Sequence, residues 1–227
     1  MDEHSISTLV ANIRDQVSAC PEPTVRGLRG VRREISRRLR DLDPVLVLRT
    51  SEHLVDRRAV PRWLAYELLN QHRMAMSLLT RADVERLGDG MATWGDCDSF
   101  ACYVAGPAWR EGRVMTEDIL DWAGSSDRWW RSAALVSTVA LNNTARGGKG
   151  DAERTLVVCD RLTADRDDMV VKGMSWALRE LAGKEPARVK QYLSENGGLG
   201  ARVVREVRSK LETGLKNPRA RRSRSGA

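Results

Sequence analysis

The chain has 227 residues, 30% charged and 41% hydrophobic, enough for one large globular domain or two small ones with a sizeable core. Its longest apolar runs, such as AALV at 133–136, are too short to span a bilayer. The start MDEHSISTLV has acids where a secretion signal is basic, so a cytoplasmic protein is expected. Lys and Arg outnumber acids by 38 to 31, a net of +7, and KNPRARRSRSGA at 216–227 alone supplies +5. That tail reads as disordered, and it either meets nucleic acid or only keeps the chain soluble.

Apolar positions Val25, Leu28, Val31, Ile35, Leu39 and Leu42 recur in steps of three and four and predict a helix. Arg26, Arg29, Arg33, Arg37 and Arg40 form a second stripe one residue, about 100°, around it. That stripe is a solvated face or a basic edge for phosphates. LVLRT at 46–50 has the composition of a short strand, but no partner strand appears. Pro61 fits the first turn of a helix running through Leu64, Leu68, Ala75 and Leu79. Thr80 can cap 81–87, which Gly88 and Gly90 end, and Thr93 can cap 94–105, with Gly106-Pro107 as its stop. Thr116-Glu117-Asp118 opens ILDWA, Ser126-Asp127 opens 128–142, Asp151 opens 152–162, and Asp167-Asp168 opens 169–182. Pro186 starts 187–195, and 201–215 is the last helix. The reading is all-α, in stacked antiparallel helix pairs with tight turns.

Asp127 and Asp168 both open helices and lie 41 residues apart, with Arg131 matching Lys172 and Ser132 matching Gly173 at that offset. Helix pairs repeating every 40–47 residues or so mark HEAT-type solenoids, which offer a long concave surface. Arg131 and Lys172 are expected to line one face of it.

Cys20, Cys97, Cys102 and Cys159 are scattered and read as free thiols, and His4, His53 and His72 are too few for a histidine zinc site. Seven Trp against three Tyr and one Phe is an unusual balance, because indole suits stacking and cation contacts as well as packing. Trp94 and Asp98, at i and i+4, share a helix face, while Asp96 points elsewhere. Trp176 lies in WALRE at 176–180. Taken alone, the Trp94–Asp98 pair is either a buried Trp beside a salt-bridged Asp or part of a site.

The stretches ATWGDCDSF (92–100), SSDRWWRSAALVS (125–137) and DMVVKGMSWALRELAGKEPARVKQYLSEN (168–196) resemble the DNA alkylation repair enzymes, the HEAT-like-repeat glycosylases of the AlkD type. The resemblance spans roughly 61–196. It places the family's W-x-x-x-D helix on Trp94 and Asp98 and its second site Trp on Trp176. It implies an all-α, C-shaped HEAT-like solenoid over 1–215 with a concave basic groove for duplex DNA, the basic tail following at 216–227. It further implies a monomer that excises positively charged N3- or N7-alkylated purines without flipping the base and without a metal or organic cofactor. The DNA contacts it suggests are Arg128, Arg131, Ser132, Lys172 and Arg179. The family commonly has a basic residue where this chain has Ser132, and Arg131 or Arg128 is expected to compensate.

The residues support such chemistry. An N-alkylated purine cation leaves as a neutral molecule and needs little acid catalysis, so positive charge builds on the sugar, as in glycoside hydrolysis. A fixed carboxylate at Asp98 can stabilise that charge, and indole faces at Trp94 and Trp176 can pack on the deoxyribose. Two other readings fit the sequence: a non-catalytic HEAT-like module that binds DNA structures, and a scaffold for an acidic protein partner.

Overall fold

The computed structural model describes residues 3–217, and among them every regular element is a helix. A first helix, α1 (Glu3–Ser18), precedes anything the sequence reading assigned; Ile6, Val10 and Ile13 form its buried stripe. Thr24 caps α2 (Val25–Leu39), which buries Leu28, Ile35 and Leu39. LVLRT is helical, inside α3 (Pro44–Asp56). Asp43 caps α3 and Pro44 opens it, and tertiary burial of Val47, Leu48, Leu54 and Val55 explains the strand-like composition.

Pro61 is the N-cap of α4 (Arg62–Gln71) rather than part of its first turn. That helix ends at His72, whose Nδ1 accepts from Ala75 N at 3.0 Å and starts the short α5 (Arg73–Ser77). Thr80 and Asp83 make a reciprocal capping box for α6 (Arg81–Gly88).

Gly106-Pro107 does not stop the next helix. After α7 (Trp94–Phe100) the chain widens into a π segment at Ala101–Ala105 and runs on as α8 (Gly106–Arg110). The Gly106 N–H reaches back five residues to Ala101 O, and this wider turn accommodates the proline's missing donor without ending the helix. A Cβ on residue 106 would lie 2.6 Å from both Ala140 Cβ and Ser137 O, so glycine is what permits this approach.

Then come α9 (Thr116–Ala123), α10 (Arg128–Ser137), α11 (Val139–Asn142) and a 3₁₀ turn, Thr144–Arg146. The helix expected over 128–142 is broken at Thr138, whose N–H and Oγ1 both bond to Leu135 O. The chain closes with α12 (Ala152–Arg161), α13 (Asp168–Ala182), α14 (Pro186–Glu195) and α15 (Ala201–Thr213).

Helices α2, α4, α7, α10, α13 and α15 form a continuous row, each packed on the next. Under α7 and α10 lies an aromatic cluster: Phe100 meets Tyr66 at 5.9 Å, Trp122 at 6.2 Å and Trp130 at 5.7 Å. The four cysteines are free thiols. Among the described residues no helix is long and apolar enough to cross a membrane. Of the basic tail only Lys216 and Asn217 are described, and Lys216 Nζ lies 3.6 Å from Glu206; residues 218–227 lie outside the described residues.

Candidate active site

The sequence TWGDCD gives its two carboxylates different roles. Thr93 Oγ1 accepts from Asp96 N at 3.1 Å, and Asp96 accepts from Thr93 N at 3.2 Å, a capping box that fixes the start of α7. Asp98, two residues on, is free of that work. Among the described residues its carboxylate accepts no hydrogen bond and makes no ion pair. One turn before it, Trp94 is 69% exposed, although Trp is normally covered. Half-buried Trp176, on α13, comes to the same place and donates its Nε1–H to Glu180 at 3.1 Å.

Trp94, Asp98 and Trp176 form the wall between two clefts. One, of about 280 Å³, is closed by Trp129, Ser132, Val136, Met169, Lys172 and Gly173, and is mostly apolar. The other, of about 250 Å³, is lined by Arg29, Trp63, Glu67, Tyr103 and Arg146 among others; its surface is also mostly apolar, but more charged side chains reach it. Four of the seven tryptophans, Trp63, Trp94, Trp129 and Trp176, therefore face these clefts. The sequence reading missed Trp129, Trp63, Tyr103, Met169 and Arg146. The Trp excess was the one signal that pointed to some of them.

Burial pushes the Asp98 carboxyl up to about 6, against a smaller opposing pull from the positive charge of Arg146. At neutral pH it is a carboxylate, yet more basic than an exposed one. Such a group can orient a water, accept its proton, or stabilise a neighbouring cation.

The predicted basic residues part company. Lys172 lines the apolar cleft, with its Nζ 2.6 Å from Asp168. Ser132 lines the same cleft from a buried position, its Oγ donating to Met169 O at 3.3 Å. Arg128 is exposed, stacked on Trp129 at 5.0 Å and 3.7 Å from Asp167. Arg131 does not line either cleft: its Nε donates to Asp165 at 2.7 Å, and its Nη1 donates to Ser125 O and Ser126 O. Arg179 is also absent from both linings. It donates to Ser175 Oγ and sits 4.0 Å from Glu206, where burial holds its pKa below the ordinary arginine value.

The repeat register explains why Arg131 turns away. Asp127 caps α10 by accepting from Trp129 N, and Asp167 caps α13 by accepting from Met169 N. The N–H groups of these two caps donate to Ser125 and Asp165 side chains respectively. The equivalent caps are thus 40 residues apart, not 41. One residue is about 100° of helix, so Lys172 corresponds to Ser132, and Arg131 to Val171. Gly173 fits close to Ser132: a Cβ there would lie 3.4 Å from the Ser132 oxygens and 3.3 Å from Leu135 Cβ.

The family model described as DNA alkylation repair enzyme matches residues 29–211, which takes in α3 to α14, most of α2 and α15, and every residue of both clefts except Val25. No curated protein matches the chain.

Proposed function

The chain belongs to the DNA alkylation repair enzyme family, and on that premise we propose that it is a DNA glycosylase that releases positively charged N3- or N7-alkylated purines from duplex DNA. The observation that carries this reading is the half-buried Asp98 carboxylate, unpaired among the described residues, which lines both clefts together with the Trp94 and Trp176 indoles.

In this reading Asp98 faces the deoxyribose of the damaged nucleotide. As the bond to the base lengthens, the base leaves neutral and the sugar becomes an oxocarbenium-like cation. The carboxylate stabilises that cation, and the two indole faces favour it further. A carboxyl whose pKa is about 6 is also a usable base at neutral pH, so Asp98 can take the proton of the water that adds to the sugar. The row of helices from α2 to α15 acts as one HEAT-like solenoid whose concave face receives the duplex. The clefts are open, so the base need not be turned into an enclosed pocket, unlike most enzymes that act on bases.

Incubating the protein with methylated duplex DNA and separating the released bases tests the proposal. Free alkylated purine at a rate above the spontaneous background supports it. Duplex binding without base release instead supports a DNA-binding module.

A further inference from the structure

Three cations line the two clefts: Lys172, Arg29 and Arg146. Lys172 is 2.6 Å from Asp168, and Arg29 is 3.2 Å from Glu67. Of the three, only Arg146 makes no hydrogen bond or ion pair through its guanidinium among the described residues. Its Cζ lies over the Tyr103 ring, 4.8 Å from the centroid. Its backbone is fixed on both sides: Arg110 Nη1 donates to the Arg146 carbonyl, the Arg146 N–H donates to Asn143 O at 3.0 Å, and Gly147 turns the chain with φ of 85°. Among the described residues Arg146 therefore presents an oriented charge with no hydrogen-bonded or ion-paired partner, feeling the longer-range pull of the Asp98 carboxylate in the cleft both residues line.

At Ser132 the repeat lacks the cation that Lys172 supplies one unit later, and neither Arg131 nor Arg179 reaches the clefts. We propose that Arg146 is the backbone phosphate site of this cleft, holding the phosphodiester beside the nucleotide whose sugar meets Asp98. With none of its N–H groups used among the described residues, the guanidinium can offer two of them to two phosphate oxygens. Its charge also offsets the repulsion between that phosphate and the Asp98 carboxylate. Lys172 and Arg29 already donate to carboxylates in contact with them, whereas Arg146, with no carboxylate in contact among the described residues, keeps its N–H donors for an anion from outside. Because phosphates carry no base information, this site positions the strand and does not select the lesion.

The inference rests on duplex DNA as the ligand of the cleft, not on base release. It is tested with the full chain and an undamaged duplex oligonucleotide, measuring affinity across a salt series. Arg146→Gln should weaken binding roughly ten- to a hundredfold at low salt, the loss of one charge-assisted contact. It should also lower the log–log salt slope by about 0.9, one phosphate's worth. Arg146→Lys should keep the slope. A role confined to packing on Tyr103 moves the melting temperature and leaves the slope alone. A second measurement uses a duplex with one non-cleavable alkylpurine analogue to set the register: neutral methylphosphonate linkages are walked along one strand, and one position should cost the wild type affinity yet cost Arg146→Gln nothing further. An unchanged slope in folded Arg146→Gln overturns the site, as does wild-type protein without salt-dependent duplex affinity. A wild type that binds with the Arg146-dependent slope but releases no alkylpurine leaves this site standing and removes the glycosylase reading alone.

Discussion

Arg131 Nε donates to the Asp165 carboxylate at 2.7 Å and so ties the start of α10 to the loop that leads into α13. The Asp165 side chain is only 14% exposed. Removing its partner leaves a largely covered carboxylate short of a hydrogen bond. Arg131→Ala is expected to destabilise the fold by about 1–3 kcal/mol and to leave the salt slope of duplex binding unchanged. Thermal melts beside binding titrations check this. A flattened slope with an unaltered melt would place Arg131 on the DNA instead.

Asp98→Asn keeps the shape of the side chain and removes its charge. Excision should fall by about 10²–10³, the usual loss for a preorganised electrostatic contact, with duplex affinity nearly intact. In the wild type, excision should rise with pH as Asp98 ionises around pH 6 and level off above it. Single-turnover rates between pH 5 and 8 give the profile. A flat profile, or an equally fast Asn variant, would remove Asp98 from the chemistry.

The same substitution should stabilise the fold at neutral pH. Burial raises the folded-state pKa of Asp98 from 3.8 to about 6, so the folded chain holds this proton more tightly than the unfolded chain. The favourable contribution is present below the unfolded value and is lost as pH rises through the folded one. The melting temperature of Asp98→Asn should therefore exceed that of wild type by a margin that grows from about pH 4 to about pH 6 and then stays constant. A margin of opposite sign would mean that the carboxylate is well solvated or paired.

The two indoles differ in cover, so their truncations should differ. Trp94 is 69% exposed, and Trp94→Ala should change stability by no more than about 0.5 kcal/mol. Trp176 packs against the core and bonds Glu180, so Trp176→Ala should cost up to about 3 kcal/mol. Each should slow excision roughly 2- to 30-fold, the range of a single cation–π contact. Trp94→Ala that melts like wild type and excises at the wild-type rate would assign that exposed ring to some other task.

Much of the fold was legible because its causes are local. Apolar steps of three and four, with Thr80, Thr93, Asp127 and Asp151 as caps, are short-range features that the chain displays without folding. The missed α1 carried the same signal in Ile6, Val10 and Ile13. The Trp94–Asp98 pairing was legible for the same reason, since four residues on one helix fix a shared face.

What the sequence by itself determined is the helical class, the positions of most helix starts, and the face that carries Trp94 and Asp98. Tertiary structure alone decided which charges are free. The difference between a 40- and a 41-residue register turns a side chain by about 100°, and only the matching hydrogen bonds of Asp127 and Asp167 fix it. Arg131 finds Asp165, Arg29 finds Glu67 and Arg146 finds the face of Tyr103, each across more than thirty residues. Composition counts these cations alike. Ion pairing depends on distances that exist only once the helices have packed, and among the described residues that packing leaves Asp98 and Arg146 without a close ion-pair partner beside the same cleft.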